Sequence, residues 1–127
     1  MPAMHSCIIL LGSNVLQPSH LSEARRRLAQ VLLSPTFTEE LWSQSFTPHA
    51  AHPLYLNQLV YARTPLQAPQ LVTLLKGIEA AMGRTPAQRA TGMVSIDLDL
   101  LQHDDVRYHQ RDWERPYVQQ LLKSHHH

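Results

Sequence analysis

Cys7 to Leu11 is an unbroken apolar run with two β-branched members, and Gly12-Ser13-Asn14 ends it at once. A run this short, bounded by turn residues, predicts a buried central strand. After Pro18, apolar residues recur three and four apart at Leu21, Ala24, Leu28, Val31 and Leu32, while Arg25, Arg26 and Arg27 lie off that stripe, so the segment predicts an amphipathic helix. Thr36 to Phe46, rich in Thr, Trp and Phe, reads as a strand that turns Trp42 and Phe46 into the core. A Thr47 to Pro53 loop then leads to a second paired strand over Leu54 to Thr64. Pro65 and Pro69 open another helix, with Leu71, Leu74, Leu75, Ile78 and Met82 on one face and Gly83 at its stop. Val94 to Leu101 alternates as a fourth strand. From Asp112 to Lys123, the spacing of Trp113, Tyr117, Leu121 and Leu122 predicts a short third helix.

Strand, helix, strand, strand, helix, strand is the order of the split βαβ motif. The class expected is therefore α+β and ferredoxin-like (βαββαβ): a four-stranded antiparallel sheet, two helices on one face, the other face open to ligands, and a short C-terminal helix.

Composition narrows the function classes. With 127 residues, 11 Lys and Arg against 10 Asp and Glu, and 43% hydrophobic residues, the chain predicts one globular domain over residues 1–124 and argues against disorder. A net charge of +1 offers no electrostatic footprint for nucleic acid, so the three consecutive arginines read as a solvated helix face. The longest apolar run falls far short of the ~20 residues a membrane span needs, and no signal pattern precedes it, so a cytoplasmic protein is expected. Cys7 is the single cysteine, which excludes an internal disulfide and any multi-cysteine zinc site. Of nine histidines, His125 to His127 follow Lys123-Ser124 as an expression-tag remnant would, and are set aside. The other six are scattered with no helical pair, so a histidine-rich metal site is not expected.

Candidate chemistry concentrates at Ser95-Ile96-Asp97-Leu98-Asp99-Leu100. Alternation puts Asp97 and Asp99 on one strand face, with Cα atoms about 6.6 to 6.8 Å apart. Two carboxylates so placed repel unless a cation sits between them, and magnesium binds through one or two carboxylates plus substrate phosphates. A solvated sheet face with alternating acids fits the same spacing. Arg84, after the helix, and Arg89, in the Pro86 to Gly92 loop, carry the planar fork suited to phosphate oxygens; Arg84 also fits as a cap on the helix carbonyls. Tyr55 and Asn57 project to one side of their strand, where an aromatic face and an amide suit a flat heterocycle, or equally a core position and an edge. The Gly12-Ser13-Asn14 turn lacks the lysine of a phosphate-binding Walker loop.

Together, Leu11-Gly12-Ser13-Asn14, Tyr55-Leu56-Asn57, Ile78-Glu79 with Gly83-Arg84, and Ile96-Asp97-Leu98-Asp99 resemble the 6-hydroxymethyl-7,8-dihydropterin pyrophosphokinase family of folate biosynthesis, in order and separation as well as in letters. The resemblance runs from about Cys7 to Leu101 and more faintly to Leu122. It implies a transferase that moves the pyrophosphoryl group of ATP onto the hydroxymethyl oxygen of a dihydropterin and releases AMP. It further implies two magnesium ions on Asp97 and Asp99, with Arg84 on phosphate oxygens and Glu79, Arg89 and Arg115 near the nucleotide. Thr47, Pro48, Tyr55, Asn57 and Tyr117 would line the pterin pocket, and the partners would be these small molecules, with neither nucleic acid nor membrane among them. The chain departs from the family where Gly-Pro-Arg-Thr is usual: it reads Gly92-Met93-Val94-Ser95, so Val94 replaces the arginine. The Pro-His pair after the acidic strand is also missing. These departures carry an alternative, a non-catalytic relative that binds pterin or nucleotide or serves as an interaction module.

Overall fold

A computed structural model describes residues 3–125; the proposed tag residues 126 and 127 lie outside the described residues, and His125 is described through its backbone only. The elements in chain order are β1 (His5–Ser13), α1 (Gln17–Val31), β2 (Leu33–Phe37), β3 (Leu41–Gln44), β4 (Leu54–Thr64), α2 (Ala68–Ala81), α3 (Pro86–Ala90), β5 (Asp97–His103), β6 (Val106–Arg107), α4 (Gln110–Trp113) and α5 (Pro116–His125). The class is α+β, with an antiparallel sheet ordered β2-β4-β1-β5-β6 and β3 also paired to β4.

The sheet has six strands where four were expected. The long segment Thr36 to Phe46 is two strands, because Thr38 turns its side chain into the ladder: its Oγ1 accepts from the Leu59 N–H at 3.0 Å, and Glu39 and Glu40 then face solvent. β2 therefore pairs with the far half of β4 and β3 with the near half. The two-residue β6 turns back on the end of β5. Trp42 and Phe46, expected in the core, are 56% and 64% exposed. The third helix is two helices, α4 and α5, since Pro116 has no N–H to continue an earlier turn and instead begins a new one. The Pro86 to Gly92 loop contains α3, capped by Thr85, whose Oγ1 accepts from the Gln88 N–H.

Two cores divide the sheet. On one face, Ile9, Leu11, Leu56, Val60, Leu98 and Leu100 pack against the apolar stripes of α1 and α2, and Cys7 is buried here as expected. At the end of α2, Gly83 adopts φ +96, the left-handed stop its position predicts. On the other face, Leu10, Leu59 and Leu101 are covered by Trp113, Val118 and Leu121 of α4 and α5. The second face is therefore only partly open, and α4 and α5 wall one side of what remains. Among the described residues, no helix is long and apolar enough to cross a membrane.

Candidate active site

β5 lies beside β1, so its alternation decides what the open face displays. Leu98 and Leu100 enter the first core, which leaves Asp97 and Asp99 on the opposite face. Asp97 stands opposite Gly12, Gly12 opposite Asn57, and Asn57 opposite Leu41, forming one row across four strands. Asp99 stands opposite Leu10 in the neighbouring row. The acids and the Tyr55-Asn57 pair thus lie on either side of a glycine with no side chain. A Cβ at Gly12 would come within 3.4 Å of Asn57 Oδ1 and 3.8 Å of Tyr55 Cδ1. Above this bare floor is a pocket of about 340 Å³. Thr47 and Phe46 line it from the loop after β3, and Arg115 and Tyr117 from the α4–α5 wall.

Charge is concentrated at the acid end. Arg84 Nη1 is 3.2 Å from Asp97 Oδ1, and Lys76 Nζ is 3.9 Å from Asp99 Oδ1. The Asp99 carboxyl is nevertheless pushed up to about 7, first by burial and then by the charge of Asp97 beside it, against the pull of Lys76. Two adjacent oxygen ligands, half-shielded from water and repelling one another at the edge of a pocket, are the donor set a hard divalent cation fits. Because the folded state holds the Asp99 proton longer than the unfolded chain does, the associated stability is fully present below about 3.8 and is lost as pH rises to about 7. In chelator, the melting temperature of the wild type relative to Asp99→Asn is therefore expected to fall across that window. Magnesium should abolish the fall; a difference independent of both pH and magnesium would contradict the assigned cause.

Glu79 does not line the pocket. Its carboxylate, 3% exposed, accepts from the Leu98 N–H at 2.6 Å and pairs with Lys76 at 3.1 Å, so it fixes the outer edge of β5 and with it the direction of both aspartates. Arg84 is drawn against Asp97 and the Ile96 carbonyl rather than onto the helix end. Arg89 is exposed on α3, and Pro48 lies outside the pocket lining although its neighbour Thr47 is within it.

The end of the pocket that carries Tyr55 and Asn57 is held by neutral hydrogen bonds. Asn57 Nδ2 donates to the Leu41 carbonyl at 3.0 Å and to Ser43 Oγ at 2.8 Å, which fixes the amide plane. Burial raises the Tyr55 hydroxyl, with Asp97 adding to the effect, and pushes Tyr117 up to about 12, so both stay protonated and neutral. The guanidinium of Arg115 lies 3.8 Å over the Phe46 ring while its Nε donates to Asp112 at 2.9 Å, joining the loop after β3 to the helical wall. Asn14 ties the end of β1 to the loops before β4 and β5. Its Oδ1 accepts from the Val94 N–H at 2.6 Å, and its Nδ2 donates to the carbonyls of Gly92 at 2.9 Å and His52 at 3.2 Å.

The fold brings Asp97, Asp99, Thr47, Tyr55, Asn57, Arg115 and Tyr117, all expected from the sequence, to one pocket. Lys76, Phe46, Asp112 and the clamping role of Asn14 carry no such signal in the sequence. Lys76 directly follows Leu75 of the apolar stripe, and nothing in that spacing distinguishes it from a solvated lysine.

A family model described as 7,8-dihydro-6-hydroxymethylpterin-pyrophosphokinase matches residues 8–126. A "Folate synthesis bifunctional protein, mitochondrial" of Pisum sativum is 34% identical over 120 residues, which cover 87% of this chain and 23% of that protein. A "Folate synthesis bifunctional protein" of Arabidopsis thaliana is 31% identical over 120 residues, covering 87% of this chain and 25% of its own length. The chain thus spans about a quarter of the length of these curated relatives.

Proposed function

This chain belongs to the 7,8-dihydro-6-hydroxymethylpterin-pyrophosphokinase family, and on that premise we propose that it transfers pyrophosphate from ATP to 6-hydroxymethyl-7,8-dihydropterin, releasing AMP, in folate biosynthesis. The observation that carries this reading is the row Asp97, Gly12, Asn57, which sets an acidic end and a heterocycle end on one pocket floor with nothing between them.

Asn57, with its amide plane fixed, bonds the pterin edge, and Tyr55, Tyr117 and Thr47 enclose the ring, with Pro48 beside Thr47 outside the lining. Asp97 and Asp99 would hold two magnesium ions, which when bound would supply neutralisation of phosphate charge. Arg84 offers its fork to phosphate oxygens from beside Asp97, and Arg115 and the exposed Arg89 serve the nucleotide from the wall and from α3. Glu79 is a positioning residue that acts through β5. The hydroxymethyl oxygen bonds to the β-phosphorus as the bond from that phosphorus to the α,β-bridging oxygen breaks, AMP departs with that oxygen, and the hydroxyl proton passes to water. Catalysis here consists of alignment and electrostatics in a partly dry pocket. The order β2-β4-β1-β5, with α1 and α2 on one face, supports a ferredoxin-like split βαβ reading of residues 1–124 as one domain, and the proposal sets the reaction in the cytoplasm.

One observation favours a second reading, a relative that binds pterin or nucleotide without turnover. Val94 stands at the family's arginine position with its N–H bound to Asn14, and among the described residues Arg115 is the one cation lining the pocket. The deciding experiment measures AMP from magnesium-ATP with and without the dihydropterin. Pterin-dependent AMP is the expected result. Saturable pterin binding with no AMP selects the second reading, and folded protein that neither binds nor turns over refutes both.

A further inference from the structure

At the opposite end of β1 from the pocket, three side chains from separate parts of the sequence converge. The pairing of β1 with β5 slips between Ile8 and Ile9, so Cys7 faces His103 where an unbroken ladder would put Gln102. That bulge re-aims His103 to the face carrying His5, and the two imidazoles lie 4.5 Å apart between centroids. Asp104 begins the turn into β6, fixed by its N–H donating to the Ser6 carbonyl at 2.8 Å. We propose that His5, His103 and Asp104 form a binding site for a divalent transition-metal ion of the zinc class, clipping the start of β1 to the β5–β6 turn.

The donor atoms of all three lie within 4.8 Å of one another. His103 and Asp104 also have the outer support a metal site needs. His103 Nε2 lies 2.9 Å from the Leu66 carbonyl, an acceptor only, so Nε2 carries the proton and the Nδ1 lone pair points toward Asp104. Asp104 Oδ1 accepts from the Ser6 N–H at 3.0 Å, leaving Oδ2 to face both rings. His5 is held only through Nδ1, 2.6 Å from Asp104 Oδ2, since its Nε2 is buried without a partner. Ligands of tetrahedral zinc are ~3.3 Å apart. The His5–Asp104 separation of 2.6 Å and the His103–Asp104 separation of 4.0 Å bracket that value, so a small pivot of one turn carboxylate satisfies both. Two imidazoles and a carboxylate suit zinc better than magnesium and leave a fourth position for water. Helical spacing among the six scattered histidines gives no such site; strand pairing and a bulge bring His5 and His103 together instead.

Zinc titration by calorimetry, in excess magnesium to cover the acid pair, tests this on the chain with His125→Ala, His126→Ala and His127→Ala. One equivalent is expected to bind, with His103→Gln and Asp104→Asn each weakening binding at least ~10-fold. Asp104→Asn keeps the turn, because asparagine tolerates the local φ of 51 and its amide oxygen still accepts from Ser6. Absence of saturable binding, or binding that survives both substitutions and is lost in Asp97→Asn, overturns the site.

Discussion

Asp97→Asn and Asp99→Asn are each expected to lower pterin-dependent AMP formation by about 10³-fold, the scale on which a single charge at a transferring phosphoryl group acts. Each change preserves volume and hydrogen-bonding shape, and β5 is held by its backbone and by Glu79 at Leu98, so the fold should persist. Asparagine removes the negative charge that makes the site a cation site. It also relieves the repulsion that raises the Asp99 carboxyl. The pair of readouts is therefore opposed: turnover collapses while metal-free thermal stability at neutral pH is kept or improved. Variants that melt like the wild type and still release AMP within a few fold of its rate would remove the acid pair from the mechanism.

Gly12→Val is expected to reduce kcat/KM for the dihydropterin by roughly 10²-fold, the cost of displacing a bound group by about an ångström. Valine suits the middle of a strand, and Gly12 does not use the left-handed backbone region. Its Cβ already meets Asn57 Oδ1 at 3.4 Å, and the γ-methyls would rise into the space between Asn57 and Asp97. Gly12→Ala should fall between wild type and valine. Unchanged pterin affinity in a folded Gly12→Val would show that the ligand does not rest on this floor.

The sequence makes the framework legible where a single element carries its own signal. The stripes of α1 and α2, the apolar run of β1 and the alternation around Asp97 and Asp99 are properties of local spacing and locate their elements, although β1 runs on through Gly12 and Ser13 and β5 begins at Asp97 rather than Val94 and ends at His103. Trp42 and Phe46 fail for a different reason. Their burial depends on what packs over β3 and beyond it: Trp42, opposite Leu56, is on the face away from α5, and Phe46, past the strand's end, stacks under Arg115. The break between β2 and β3 is set by Thr38 bonding a strand it meets only in three dimensions. Lys76 is likewise invisible, and Glu79 is legible only as a motif letter and not as the anchor of β5, because their partners, Asp99 and the Leu98 N–H, lie on another element. Val94 is informative in both views: the missing cation is plain in the letters, and its backbone is given over to the Asn14 clamp.

The second core has a consequence for the order in which the molecule comes into being. Leu10, Leu59 and Leu101 belong to strands that leave the ribosome before α5, and Val118 and Leu121 cover them only after the last strand is complete. The nascent sheet thus carries a bare apolar stripe beside its two aspartates until the final helix docks. Docking closes the stripe and raises the wall bearing Arg115 and Tyr117 in one event, so a chain arrested just short of α5 would hold its acids in register on a sheet that is sticky, unwalled and a natural client for chaperones.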